Sequence, residues 1–250
     1  MTQIILNPNL PEGRVITALA GKIPKSLSDA FLKEKIKIVE LLENNDLQPS
    51  VASHADMLAH SLDSKRILLS KHDENVEIKL EKLGFEPIIS SKPLSKDYPN
   101  DIALNSARIG KFLICNSKHT ATQILDYCQL NNIEIINVAQ GYAKCSTCIV
   151  NENAVITEDK TIKSECVKRG IDVLLINKGY VSLPGLNYGF IGGCSCLISK
   201  SELAFFGDIK KHPDYKNIRA FLNNYNIVPL SLTSDNLIDI GGLIPLQEEI

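Results

Sequence analysis

One short pattern, an amphipathic helix that runs into a β-branched strand, recurs four times along the chain. The predicted helices span residues 74–84, 120–131, 160–170 and 212–224, and a strand follows each one. A pair of strand-like segments precedes each helix, so the repetition predicts an α/β chain built from ββαβ units. Gly84 and Gly170 stand where a left-handed residue would end a helix, and asparagines at 131–132 and 223–224 can do the same.

A fifth unit is split between the two ends of the chain. Residues 14–20 and 36–42 provide strand-like segments near the start, and residues 239–246 provide one near the end. We therefore expect one domain over residues 1–250, a five-fold pseudosymmetric α/β-propeller of ββαβ repeats. Its C-terminal strand would pair with a strand from the first fifty residues and close the ring. The alternative is an open α/β sheet.

Composition excludes several classes of function. The net charge is −2 and basic residues are scattered, whereas a nucleic-acid surface would show a basic stripe. No apolar run approaches the roughly 20 residues of a membrane helix, and the N-terminus does not resemble a signal peptide. The chain has seven cysteines without the spacing of a disulfide framework. We expect reduced thiols in a cytoplasmic monomer or homodimer without a cofactor.

Two local motifs carry a family resemblance. Residues 53–58 contain His54 and Asp56 in a His-x-Asp pattern, and residues 240–246 resemble a Gly-Gly-x-x-Cys strand. With the five units, they make the chain similar to the pentein superfamily. That superfamily includes dimethylarginine dimethylaminohydrolases, deiminases, amidinotransferases and a non-catalytic ribosome anti-association factor. The resemblance implies a catalytic cysteine at the position that Pro245 occupies here, so the usual triad cannot be transferred.

Alignment of the units against one another predicts three levels of residues around a central channel. These levels are Asp56, Asp101, Ala143, Gly192 and Gly241; Leu58, Ala103, Cys145, Cys194 and Leu243; and His60, Asn105, Thr147, Cys196 and Pro245. A slip of one residue in any unit would turn its side chains to the other face.

The aligned levels predict a site for a small cation such as a guanidine, an amidine or an amine. Two carboxylates, Asp56 and Asp101, would hold the cation because each can accept paired N–H bonds from a planar group. Asn105 and Cys145 would complete the binding set. The alternative is that both aspartates are solvated residues at strand starts or turns.

Cys194 and Cys196 are the predicted nucleophiles. In the alignment Cys196 matches Pro245 one repeat away, and His54 or His60 would lower the thiol pKa. The alternative is that both cysteines are small packing residues.

Three functions remain open at this point. The first is a cysteine-dependent hydrolase or transferase acting on C–N bonds of amidines. The second is a non-catalytic binding or interaction protein, and the third is a metal site of Cys145, Cys194, Cys196 and a histidine. Strand geometry disfavours the third, because residues three apart on a strand point to opposite faces. The irregular segment 179–189 is expected to cover one mouth of the channel.

Overall fold

Five small sheets make up the fold in a computed structural model that describes residues 1–250. Four sheets have three strands, and one has four. In every sheet the middle strand pairs antiparallel with one neighbour and parallel with the strand that follows the next helix. The chain is therefore a mixed α/β fold of five ββαβ units, as the repeats predict.

The strands, in chain order, are β1 Thr2–Ile4, β2 Arg14–Ala20, β3 Lys37–Glu40, β4 Ala59–Ser61, β5 Arg66–Leu69, β6 Glu86–Ile89, β7 Ala107–Ile109, β8 Phe112–Cys115, β9 Glu134–Asn137, β10 Cys148–Asn151, β11 Ala154–Thr157, β12 Asp172–Leu175, β13 Ser195–Ser199, β14 Glu202–Phe205, β15 Val228–Ser231 and β16 Ile244–Glu249. The helices are α1 Lys25–Lys33, α2 Ala55–Leu58, α3 Glu74–Lys82, α4 Thr122–Leu130, α5 Lys160–Val167 and α6 Tyr215–Asn223, with a 3-10 turn at Ile209–Lys211. No helix has the length and apolar character needed to cross a membrane.

Local sequence explains where the helices begin and end. The Asp73 side chain accepts a hydrogen bond from the first turn of α3, and Asp159 does the same for α5. Past the ends of these helices, Gly84 and Gly170 have φ of 93° and 74°, which confirms the predicted left-handed residues. Asn132 also has positive φ after α4.

The ends of the chain close the first sheet, as predicted. Strand β16 lies between β1 and β2 and pairs antiparallel with both, with Pro245 opposite Ala18. Arg14 at the start of β2 forms ion pairs with Glu34 and with Glu202 of β14, and the second pair joins this sheet to the sheet of β13, β14 and β15.

Two expectations about local structure were wrong. The sequence patterns did not reveal helix α1, and the His-x-Asp motif is not a strand. Asp56 lies on the single helical turn α2, directly before β4. A turn of this kind also precedes β10 and β13. These turns direct side chains toward the neighbouring unit, which a strand periodicity of two does not anticipate.

Strand pairing also corrects the alignment of the units. The middle strand of each sheet pairs through four residues with its parallel neighbour, and the third of these residues is the equivalent position in every unit. On the antiparallel neighbour, the residue opposite this position is His60, Ala107, Cys148, Cys196 or Ile244. The predicted level that contains His60 and Cys196 was therefore wrong by one residue at Thr147 and Pro245, and by two residues at Asn105. Cys196 is equivalent to Ile244, because the turns before the hairpins differ in length.

Candidate functional site

A cavity of about 240 Å³ lies beneath the irregular segment that follows β12. Its lining comprises Gln48, Val51, His54, Tyr142, Cys145, Leu183, Leu186, Asn187, Tyr188, Phe190 and Asp239. Most of this wall is apolar or aromatic, and the ionisable groups are His54, Cys145, Asp239 and two tyrosines. A small concave site with few convergent polar groups is typical of small-molecule binding.

Cys145 connects the cavity to a buried carboxylate behind it. The Cys145 thiol donates to Asp56 Oδ2 at 2.9 Å, and Asp56 Oδ1 has no hydrogen-bond partner. Burial raises the pKa of Asp56 to about 6, with His54 and Lys144 opposing that effect. Burial and the Asp56 charge raise the pKa of the Cys145 thiol well above its usual range. The Cys145 thiol is therefore neutral near pH 7 and lies beside a carboxyl group whose pKa is raised to about 6.

Asn105 fixes the position of this thiol. Its amide Nδ2 donates to Cys145 Sγ and to Met57 Sδ, both at 3.2 Å. Its Oδ1 accepts from the backbone N–H groups of Lys144 at 2.8 Å and Cys145 at 3.3 Å. Because a donor to sulfur favours the charged form, the Asn105 amide works against the burial effect on the Cys145 pKa.

His54 and Asp239 lie side by side on the cavity wall, and both are buried. His54 Nδ1 is 3.6 Å from Asp239 Oδ1 and makes no hydrogen bond. The carboxylate of Asp239 accepts backbone N–H bonds from Phe190 and Gly241, each at 2.9 Å. These bonds hold the carboxylate in place and leave lone pairs that can face a ligand.

Glycines in the two Gly-Gly motifs make room for this pair. A Cβ on Gly193 would lie 1.9 Å from Asp239 Oδ1. A Cβ on Gly241, whose φ is 77°, would lie 2.4 Å from His54 Cβ. Gly193, and Gly241 in the motif that resembles the pentein Gly-Gly strand, therefore shape the site by leaving out side chains.

A second buried carboxyl group supports the aromatic wall. Glu158 Oε1 accepts from the backbone N–H of Ile191 at 2.9 Å, one residue after the Phe190 amide that Asp239 holds. Glu158 Oε2 has no partner, and burial raises the pKa of this group to about 8. Two carboxyl groups thus anchor consecutive amides behind Phe190.

Asp101 is placed differently from the expectation that it faces Asp56. Its Oδ2 accepts from the Tyr142 hydroxyl at 2.6 Å, and it does not line the cavity. Burial raises the pKa of both groups. The carboxylate that interacts with Asp56 is Asp239. Asp101 instead orients a tyrosine of the wall.

His60 lies on the far side of Asp56, around a much smaller opening that Lys144 also lines. Its Nδ1 is 3.2 Å from Ser106 Oγ. Burial, together with Arg108 and Lys144, lowers the pKa of His60 to about 3, so the ring is neutral at pH 7. The structure thus separates the two histidines predicted as proton carriers, with only His54 on the main cavity.

Cys194 and Cys196 do not reach the cavity. Both belong to the apolar core, and their thiols approach the backbone oxygens of Ile191 and Leu197, each at 3.3 Å. Burial raises the pKa of Cys196 to about 12 and that of Cys194 well above normal. These surroundings disfavour the predicted role as nucleophiles.

Asp239, Tyr142 and Glu158 were not identified from the sequence. Asp239 directly precedes the second Gly-Gly motif, and Tyr142 belongs to a Gly-Tyr pair that recurs at 179–180. Those positions were available signals for the first two residues. Glu158 has no such signal, because only its burial distinguishes it from a solvated glutamate. The segment 179–189 contributes Leu183, Leu186, Asn187 and Tyr188 to the cavity lining.

Sequence comparison places residues 18–244 within one family model, described as "Family of unknown function (DUF6873)". No curated protein matches the sequence.

Comparison with solved structures finds the same fold in several enzymes. Inosamine-phosphate amidinotransferase from Streptomyces griseus matches with a TM-score of 0.57 at 8% identity, over 98% of this chain and 97% of that one. Agmatine deiminase from C. jejuni with substrate bound matches with a TM-score of 0.52 at 12% identity, over 93% and 91%. Dimethylarginine dimethylaminohydrolase from Pseudomonas aeruginosa with citrulline matches with a TM-score of 0.52 at 8% identity, over 88% and 93%. The predicted resemblance to the pentein superfamily is confirmed at the level of the fold.

Proposed function

The chain belongs to the family of unknown function DUF6873 and has the pentein fold, and from its cavity we propose that it cleaves a C–N bond of a small cationic amidine or guanidine by means of Cys145. One observation carries the proposal: a cavity-lining thiol donates to the buried carboxylate of Asp56 at 2.9 Å. The amidinotransferase and deiminases with the same fold support this class of substrate, although a fold by itself does not determine function.

Charge at the base of the cavity favours a cation. Asp239 lines the cavity, Asp56 lies behind Cys145, and no lysine or arginine is part of the lining. Two buried carboxylates repel each other, and a planar cation relieves that repulsion while donating to both. A positive charge beside Cys145 also lowers the thiol pKa, so that binding of the substrate prepares the nucleophile.

The proposed reaction begins when Cys145 transfers its proton to Asp56 and its sulfur bonds to the amidine carbon, which becomes tetrahedral. The C–N bond then breaks, and the leaving nitrogen takes a proton from His54 and departs as an amine. Water in a hydrolase, or an acceptor amine in an amidinotransferase, then attacks the S-linked amidine and gives a proton to His54, which restores the proton that His54 donated. The C–S bond breaks, and Asp56 returns the proton to sulfur.

This proposal moves the role of nucleophile from Cys196 and Cys194 to Cys145, which the sequence had suggested as a ligand-binding residue. His54 keeps its proposed role in proton transfer and Asp56 keeps its place in the site. Asn105 positions the thiol, and Asp239 takes the place that Asp101 was expected to fill.

We also infer that the five units surround a common axis as one propeller-like domain over residues 1–250. Hydrogen bonds between successive units support this arrangement, because they form a closed cycle. The cycle runs from His60 to Ser106, from Asn105 to Lys144, from Cys145 to Gly193, from Gly193 to Ile240 and from Gly241 back to Asp56.

Alkylation with a matched pair of reagents tests the proposal. The cationic reagent is 2-chloroacetamidine, and 2-chloroacetamide is its neutral isostere. After each rate is normalised to that of glutathione, we expect the cation to label Cys145 at least about tenfold faster, as judged by peptide mass spectrometry. The Cys196→Ser variant should react like the parent protein. Equal normalised rates, or labelling directed to another cysteine, would contradict the proposal.

The same site also allows a non-catalytic binding protein. In that case, guanidines would bind the parent protein and the Cys145→Ala variant with similar affinity, and neither protein would release an amine from any of them. Calorimetry combined with an assay for released ammonia or amine separates the two functions.

A second candidate is a metal site, because donor atoms of His54, Asp56 and Cys145 lie within 4.8 Å of one another. The unpartnered His54 Nδ1 and Asp56 Oδ1 favour it. Zinc bonds of about 2.0–2.3 Å would require these atoms to move slightly closer together. Elemental analysis of the purified protein tests this candidate. Stoichiometric zinc that is lost in Cys145→Ser would support it, and a metal-free protein that still binds guanidines would rule it out.

A further inference from the structure

We propose that the cation accepted by this cavity carries an apolar, uncharged tail and lacks the carboxylate of an α-amino acid. This inference rests on the proposed cation site and names its substrate class. It follows from the composition of the cavity lining, in which most residues other than His54, Cys145 and Asp239 are apolar, aromatic or amide side chains.

The remaining wall of the cavity offers no basic side chain to an anion. Val51, Leu183 and Leu186 line it together with aromatic rings, and its remaining polar groups are the amides of Gln48 and Asn187. A carboxylate placed there would lose water and gain no ion pair, which is unfavourable. The amides can serve a neutral polar group on the tail.

The basic side chains around this cavity are not part of its lining. Lys22 lines the adjoining opening, and its Nζ lies 3.6 Å from Glu43 Oε1. Lys178 Nζ lies 5.9 Å from the centroid of the Tyr188 ring and is not part of the cavity lining. Lys144 lines the small opening on the other side of Asp56. None of these three lysines is part of the lining that a ligand in contact with Cys145 would meet.

Aromatic rings favour a cation with apolar substituents. The Tyr142 and Phe190 ring centroids are 6.3 Å apart, and those of Tyr188 and Phe190 are 6.0 Å apart. Faces of such rings attract a cation and its alkyl groups together. The volume of about 240 Å³ is below the usual range of roughly 300–1,000 Å³ for ligand pockets, so the ligand is small.

Calorimetry with butylguanidine and arginine tests the inference, because the two share a head group and differ in the tail. We expect butylguanidine to bind at least about tenfold more tightly than arginine. Agmatine, whose tail ends in a second cation, should also bind less tightly than butylguanidine.

A variant that adds a cation to the rim sharpens this test. Leu186 is 51% exposed, so Leu186→Arg should fold normally and improve arginine binding relative to butylguanidine. Leu130→Arg, at a leucine that is 81% exposed and outside the cavity lining, is the matched control. Arginine binding as tightly as butylguanidine in the parent protein would overturn the inference and leave the proposed function intact. Failure of all three guanidines to bind would overturn both.

Discussion

Cys145 and Cys194 occupy similar turns in neighbouring units, and their surroundings are nevertheless opposite. Each turn ends just before the first strand of a hairpin, and each cysteine is buried with a raised pKa. Cys145 lies between Asp56, Asn105 and a cavity, whereas the Cys194 thiol approaches a backbone oxygen in the apolar core. Burial by itself therefore does not make a reactive thiol, which also needs polar partners and space for a substrate.

The largest expected effect is on turnover, when Cys145 and Cys194 are each replaced by alanine. Cys145→Ala should abolish any amidine-directed turnover, a loss of at least about a thousandfold, because no other thiol lines the cavity. Cys194→Ala should retain turnover in the fraction of protein that folds. Activity per folded molecule, with folding checked by circular dichroism, measures the contrast. Full activity in Cys145→Ala would remove the distinction between the two turns.

The second largest effect is expected from removing one carboxylate, which should weaken cation binding. Asp56→Asn leaves the Cys145 region without its negative partner, and we expect a loss of about 2–5 kcal/mol in guanidine binding. Asp101→Asn is the matched variant, with a much smaller effect because Asp101 contacts the ligand site only through Tyr142. Calorimetry on both variants measures the difference. A larger loss in Asp101→Asn would restore the carboxylate pair that the sequence alone suggested.

Glu158 provides a test of how pH changes the free energy of unfolding near Cys194. Its pKa is about 8 in the folded chain and near 4.5 when unfolded, so the folded state binds more protons between these values. The contribution of Glu158 is fully present below about pH 4.5 and is lost progressively as pH rises to about 8, a total of roughly 5 kcal/mol. Glu158→Gln should remove this part of the pH dependence. Urea unfolding at pH 5 and pH 9 measures it, and an unchanged difference between parent and variant would show that Glu158 does not titrate in this range.

The smallest effect is expected at Cys196. Cys196→Ala should cost about 1 kcal/mol of unfolding free energy, since it removes one buried sulfur from the core. Binding of guanidines should not change, because Cys196 is absent from the cavity lining. Thermal unfolding and calorimetry together provide the readout. A loss of guanidine binding without a loss of unfolding free energy would indicate that Cys196 belongs to the binding site.

Sequence patterns identified the residue types of the site better than their partners. His54, Asp56, Asn105 and Cys145 were all selected, and they meet in one cluster. Their partnerships were assigned through an alignment that slipped at Asn105 and Thr147. Asp56 and Cys145 also lie in turns and not on strands, so correct candidates were given wrong neighbours.

The sequence by itself determined the elements that depend on local interactions. Helix periodicity, the capping residues Gly84 and Gly170 and the closing strand near the C-terminus could all be read in advance. Each of these signals lies within a few residues of the element that it predicts, or repeats from one unit to the next. Chain topology followed because the units share one pattern.

Only the tertiary structure decided which cysteine meets a carboxylate. Cys145 and Asp56 are 89 residues apart, and their contact depends on the helical turn α2 and on the lengths of the turns that precede each hairpin. The position of Asp239 depends likewise on the space that Gly193 leaves in a neighbouring unit. Such contacts between units have no local signal in the sequence, because they arise from how each turn is oriented when the sheets pack together.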